Sequence, residues 1–489
     1  MGVDDKALDE IIARLEKEVA SRPKDIGLRL QLALSYMRRA RREEAIRELS
    51  TVIEQDKRNV EAHYYMGILH ADSGDFDKGQ EFFEKAVAID RRHAPSHYFL
   101  GKIMALRGNV EGAIRETEKA VEAAPGNAMA HAQLGELYIA VGRPADAGVH
   151  WMRVLELDPS NLQALHNLGA LHTDAREYDK ALDYLTRAER LGSDNPGLFY
   201  NLGICYYASK QPEKAVAALE KSAEMEPDNV VTLTTLGEVQ AVMGEVDKAI
   251  ETWEKALRVK PDSVFPLYNL GLAYYQTGKR DEGVKMWEKC VEVDPSYVPA
   301  YRNLAAAAAM DGDLEGALRR WESLTRIVPG SPEALLAIGD LAFRTGDFAK
   351  AEGCARELLD RLEQAEQVES GSADRELRAS VHLLYGSVLV AEGKPRDGVA
   401  QWVRAMESDP NFALASSAFI SRAIWPGLVD LAKSAAKTED QRKAANLVGS
   451  LVKDTTRPPA EHPSASSDEG KGEDGSKKGG FPWFSRGKK

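Results

Sequence analysis

Apolar positions in this chain fall in short stretches with helical period, and polar turns interrupt them at regular steps. Small residues set the step. Ala33, Gly67, Gly101, Gly135, Gly169, Gly203, Gly237, Gly271, Ala305 and Gly339 lie 34 residues apart without insertion or deletion, and Gly386 follows after 47. Twelve residues after each comes a second small residue: Ala45, Gly79, Ala113, Ala147, Ala181, Ala215, Ala249, Gly283, Ala317, Ala351 and Gly398. Four further on the residue is usually bulky, as in Leu49, Phe83, Trp151, Leu185, Leu219, Trp253, Trp287, Trp321 and Trp402. Proline closes many units, at Pro125, Pro159, Pro227, Pro261, Pro295, Pro329 and Pro410.

Each unit therefore predicts two amphipathic helices. The small residues sit where the helices of a pair cross and let the backbones approach. The bulky residue lies one turn along the same face and is expected to fill the gap to the next unit. Proline lacks an N–H donor and restricts the residue before it, so it ends the second helix. The turns 72–75, 311–313 and 345–347 carry Gly for backbone freedom and Asp for local capping.

This pattern resembles the tetratricopeptide repeat family, most closely in VFPLYNLGLAYYQTGKRDEGVKMWEKCVEVDPS, 264–296. The family's Trp early in the first helix is missing, and His63, His97, His131 and His382 take that position in some units. The resemblance implies an all-α, right-handed solenoid of about eleven helix pairs with terminal capping helices. The expected organisation is a capping half-repeat over 1–25, ten contiguous units over 26–365, an inserted linker over 366–378, and an eleventh unit over 379–412. Capping helices follow over 413–454, then a disordered tail over 455–489, rich in Pro, Ser, Gly and charge. The linker reads as a tolerated surface insertion, with a hinge or docking protrusion as the alternative.

Periodicity also disposes of most candidate chemistry. The histidines and tryptophans recur at packing positions, and the glycines are spread rather than gathered into a phosphate loop. Motifs for a nucleophilic serine, a zinc protease or a nucleotide site are missing. No catalytic residue, metal site or cofactor is assigned, and the chain is read as not an enzyme. Cys205, Cys290 and Cys354 are too few and too scattered for a disulfide framework. The N-terminus lacks secretory signal features, and no apolar run is long enough to span a bilayer. The expected location is cytoplasmic. With 64 Lys and Arg against 77 Asp and Glu, the net charge of −13 argues against nucleic acid as a partner.

What remains is the surface of the first helices. In the family, the positions two and three before the small residue, and four after it, line a concave groove. Here Asn167, Asn201, Asn269 and Asn303 stand two before it, with Thr235 between them and Gln133 preceding. This row resembles the asparagine ladder in the repeat domain of O-linked N-acetylglucosamine transferases, without any catalytic domain. An amide both donates and accepts, so it suits a peptide backbone of any sequence. Tyr64, Tyr65, Tyr98 and Phe99 fill the corresponding places earlier in the chain, and Tyr200, Tyr207, Tyr268 and Tyr275 occur further along. Aromatic linings suit apolar or proline-containing peptides.

The function read from this is a non-enzymatic scaffold or adaptor that binds extended segments of partner proteins. The alternatives are self-assembly through the tail, giving a homo-oligomer, or a targeting subunit of an enzyme complex. The tail ends in Phe481, Trp483 and Phe484 followed by Arg486, Lys488 and Lys489. That motif suits docking into a protein groove, or weak contact with a membrane surface.

Overall fold

The computed structural model describes residues 3–366 and 375–409. Most of the expected linker, the helices expected over 413–454 and the tail with Phe481, Trp483 and Phe484 lie outside the described residues. Among the described residues every regular element is a helix. The chain divides into two compact units, Met1–Pro227 and Asp228–Lys489.

The first unit holds α1 (Val3–Ser21), α2 (Ile26–Arg38), α3 (Arg42–Gln55), α4 (Val60–Asp72), α5 (Phe76–Ile89), α6 (Ala94–Leu106), α7 (Val110–Ala123), α8 (Ala128–Ala140), α9 (Pro144–Leu157), α10 (Leu162–Asp174), α11 (Tyr178–Arg190), α12 (Pro196–Ala208) and α13 (Pro212–Met225). The second holds α14 (Val230–Val242), α15 (Val246–Val259), α16 (Val264–Gln276), α17 (Arg280–Val293), α18 (Val298–Met310), α19 (Leu314–Ile327), α20 (Pro332–Thr345), α21 (Phe348–Glu366), α22 (Arg375–Ala391) and α23 (Pro395–Ser408). From α2 onward in the first unit, and throughout the second, even and odd helices form hairpins that stack in chain order, as in an α-solenoid.

Local chemistry explains the helix ends. The side chains of Asn59, Asn127, Asn161 and Asn229 each accept from the backbone N–H three residues on, capping the first helices of their pairs. Seven residues after each crossing residue the backbone turns left-handed. Glycine takes that place at 74, 108, 142, 244, 278, 312, 346 and 393, while Ala40, Arg176 and Lys210 adopt it with φ of 57°, 60° and 59°.

The crossing glycines show why the repeat needs them. A Cβ built on Gly203 falls 2.5 Å from Leu219 Cγ, and one on Gly67 falls 2.6 Å from Phe83. The bulky residue thus sits over the glycine of its own pair, sixteen residues back, rather than filling the gap to the next unit. The tenth pair departs from this. Ala355 stands where the bulky residue would be, and Leu384 of the next pair covers Gly339 instead. The second helix of that pair, α21, runs for 19 residues where its counterparts run for 13 or 14.

Neighbouring pairs are tied by a repeated bond. Tyr36, Tyr138 and Tyr274 each donate the hydroxyl to a glutamate twenty residues earlier, Glu16, Glu118 and Glu254, at 2.6–2.7 Å. Burial and this bond push all three phenols up to about 12. At the start of the array, Ile12, Leu15 and Val19 lie on one stripe of α1 and pack into the core that Leu32, Ala33 and Tyr36 form.

Candidate functional site: the exposed stripe of the first helices

On each first helix, positions six and two before the crossing residue, and one and five after it, share a stripe, because their spacings of four, three and four track the helical turn. The stripe carries the large apolar residues that stand furthest from any core. Leu106 and Met129 in the first unit, and Val231, Phe265 and Met310 in the second, are 59–64% exposed. An isolated exposed apolar residue means little; Val149 on α9 is 58% exposed, but the five most exposed large apolar residues among those described all fall on this one stripe, which makes it the candidate surface.

In the first unit the aromatic residues of this face come together. The Tyr64 ring lies 5.0 Å from Tyr65 and 6.0 Å from Phe99, and Phe99 packs edge-on to Tyr98 at 5.1 Å. Phe99 also stacks on the buried Phe83 at 5.3 Å, so the cluster is anchored in the core beneath it. Burial raises the Tyr64 and Tyr98 hydroxyls above their ordinary range, and Glu136 adds to the effect on Tyr98. Gln133 lies beside Gly101 on the neighbouring first helix, and its side-chain Nε2 and Oε1 are both shut from the surface with no hydrogen-bond partner among the described residues. Tyr200, Asn201 and Tyr207 follow on α12, all half-buried.

In the second unit Asn303 and Tyr275 share one cavity of about 150 Å³, together with Leu272, Gln276, Ala306 and Met310, and Trp287 closes its floor. That volume is well below the ~300–1,000 Å³ of a small-molecule site and suits a single inserted side chain. The Tyr275 hydroxyl bonds the Met310 sulfur at 3.4 Å. Asn303 Nδ2 is buried without a well-formed hydrogen bond, and Asn303 opposes the burial that raises the hydroxyl of the neighbouring Tyr268. Tyr268 packs edge-on to Tyr297 at 5.3 Å. Thr235 lies half-buried on α14. A larger cavity of about 400 Å³ opens between α17, α18 and α19, but its arginines are engaged: Arg320 pairs with Glu288 at 3.2 Å and Arg319 with Asp313 at 3.8 Å.

The amides of the row keep one register and differ in what they do. Asn269 is buried, and its Nδ2 donates to Glu238 Oε1 on the preceding first helix at 3.1 Å. Asn167 accepts from Gln163 one turn earlier at 2.9 Å. Reading the sequence by the asparagine positions alone misses Leu272, Ala306 and Met310. The stripe through Asn303, extended three and seven residues on, would have found Ala306 and Met310.

Among the described residues no helix is long and apolar enough to cross a membrane, and no group of three metal-ligating side chains assembles. Cys205 and Cys290 are buried, and burial pushes both thiols up.

Stacked hairpins of 34 residues, with their distinctive residues on the outer stripe of the first helices, define a helical repeat protein of the kind that works as a protein-interaction scaffold. Family models described as tetratricopeptide repeat match residues 5–64, 60–93, 132–196, 172–230, 268–332 and 311–366, and one described as TPR repeat matches 237–278. The chain belongs to the tetratricopeptide repeat family, whose members are typically non-catalytic scaffolds.

No curated protein matches the chain significantly. Similar solved structures include YrrB, described as a TPR protein with an unusual peptide-binding site, at 24% identity over 38% of this chain and 96% of its own, with a TM-score of 0.35. PilF of Pseudomonas aeruginosa is 20% identical over 45% of this chain and 99% of its own, with a TM-score of 0.40. MamA from Desulfovibrio magneticus RS-1 is 21% identical over 35% and 96%, with a TM-score of 0.33.

Proposed function

We propose that this protein is an adaptor that holds extended segments of partner proteins along the exposed stripe of its first helices. The observation that carries this reading is the cavity shared by Tyr275, Asn303 and Met310. It pairs an apolar socket for one side chain with an amide able to bond the backbone beside it. Asn201 and Asn303 act as backbone holders in this reading, and the Tyr64–Tyr65–Tyr98–Phe99 cluster as an apolar platform. Asn269 and Asn167 are already engaged within the protein and play a supporting part.

The test is capture of partners by the intact chain with Asn201→Ala, Asn303→Ala and Met310→Lys combined. Partner proteins identified by affinity purification should be lost while the helical circular dichroism stays unchanged. Partners retained in full by the triple variant would rule the stripe out as the binding surface.

A further inference from the structure

The first unit presents a face with a definite chemistry. Its first helices α4, α6 and α8 expose Leu106 and Met129 beside the partly covered Tyr65 and Phe99. Three exposed acids, Glu61, Asp72 and Glu136, share that stripe with a single exposed base, Lys102. The corresponding face of the second unit is different, because its acids are already engaged: Glu238 by Asn269 at 3.1 Å, Glu333 by Arg302, and Asp340 by Arg344 at 3.7 Å. A ligand for the first face is therefore aromatic or aliphatic with positive charge close by, and the second face does not favour the same ligand.

One segment of this chain has that composition. Residues 481–489, FPWFSRGKK, place Phe481, Trp483 and Phe484 within four residues, then Arg486, Lys488 and Lys489, with no acid. We propose that residues 481–489 occupy the face of α4, α6 and α8 as an internal pseudo-ligand, their aromatic side chains on Tyr65, Phe99, Leu106 and Met129 and their cations against Glu61, Asp72 and Glu136. The dimensions agree. Helices of 13 residues are about 20 Å long, so Met129 and Leu106, near opposite ends of their helices, are less than that apart along the axis. Nine extended residues span up to about 30 Å and can cover both. The energetics agree as well. Three buried aromatic rings supply the apolar part, at roughly 25 cal/mol per Å² removed from water. A segment carried on the same chain acts at an effective concentration near the millimolar range, so it outcompetes a free peptide of the same chemistry.

This inference rests on the reading that the first-helix stripe binds peptides, and it adds that the stripe is regulated. A partner for the first unit must displace the chain's own segment, so affinity is set by competition.

A labelled synthetic peptide of residues 481–489 tests it, titrated into the full chain and into a full chain carrying Phe481→Ala, Trp483→Ala and Phe484→Ala. The alanine variant should bind the peptide at least about tenfold more tightly, because the tethered competitor is gone. Adding Leu106→Glu and Met129→Glu to that variant should abolish the binding with the helical signal intact, since both side chains are exposed and support no core. Equal affinity for the two proteins, or binding indifferent to the two glutamates, overturns the proposal. Partner capture by the same variants separates the two readings. If the glutamates abolish capture while the peptide never binds, the segment is not the ligand and the stripe remains a binding surface. If neither responds, the stripe reading falls for the first unit as well.

Discussion

Trp253 donates its indole N–H to the carbonyl of Thr234 at 3.1 Å, and the same ring fills the space that a side chain on Gly237 would need. Trp287 does the same with Tyr268 O, and Trp402 with Leu383 O, both at 3.2 Å. The ring thus seals the crossing of its own hairpin by shape and by one directional bond. A Cβ on Gly237 would fall 2.7 Å from Trp253 Cε2 and displace the ring. Gly237→Ala should destabilise the protein by about 1–3 kcal/mol through overpacking. Thermal unfolding checks this, and an unchanged midpoint would show that the hairpin opens without cost.

Lys210 holds a left-handed backbone, with φ of 59°, at the turn where eight other pairs use glycine. A side chain costs ~1–2 kcal/mol there, and glycine gives part of that back through the entropy of the unfolded chain. Lys210→Gly should therefore stabilise the fold by up to about 1 kcal/mol. Denaturant titration with an unchanged slope and a higher midpoint is the expected result, and Ala40→Gly should behave alike.

His131 and His150 meet through their Nδ1 atoms at 2.9 Å, while His131 Nε2 faces the Pro125 carbonyl at 3.2 Å. A carbonyl only accepts, so His131 carries its proton on Nε2, and His150 donates from Nδ1 to the bare nitrogen of His131. Burial, and then His131, hold the pKa of His150 below its ordinary 6.5. In the unfolded chain His150 takes up a proton as the pH drops through 6.5, and in the folded chain it resists. Stability is therefore complete above that pH and is lost progressively as the pH falls below it. His70, His93, His166 and His382 are depressed too and act with the same sign. His150→Gln should leave neutral stability nearly unchanged and make the acid loss shallower, since His382 already meets the Gln401 amide at the equivalent place. An identical pH profile for the variant would show that the pair does not titrate on unfolding.

Asn269 and Asn201 occupy one repeat position with different surroundings. Asn269 is 6% exposed and bonded to Glu238, whereas Asn201 is half-buried on the stripe. Asn269→Ala should cost about 1–2 kcal/mol of stability by breaking a buried polar pair. Asn201→Ala should cost less, within about 0.5 kcal/mol, as for most surface changes. The two unfolding curves decide this, and equal costs would remove the distinction between a structural and a ligand-facing amide.

The hairpin fold was legible from the sequence because each constraint is local and repeats. A glycine sixteen residues before a Trp or Leu, and an Asn before five of the first helices, are visible in a single chain. The surroundings of each amide were not, because they depend on which side chain of the preceding first helix lies opposite. Glu238 engages Asn269, yet nothing in the spacing of Asn269 announces it. The cavity at Asn303 likewise arises from Met310 and Leu272 on separate helices, and only the stacked pairs bring them together.

One buried slot, where a first helix meets its second nineteen residues on, receives a hydrocarbon ring from Phe82 beside His63, a carboxylate from Glu116 beside His97, an imidazole from His150 beside His131 and an amide from Gln401 beside His382. In a stack where each hairpin leans only on its neighbours, such differences stay where they are written. Acidification therefore reaches several hairpins of the first unit at once, through His70 on α4, His93 at the start of α6, His150 on α9 and His166 on α10, and each hairpin answers it with its own imidazole.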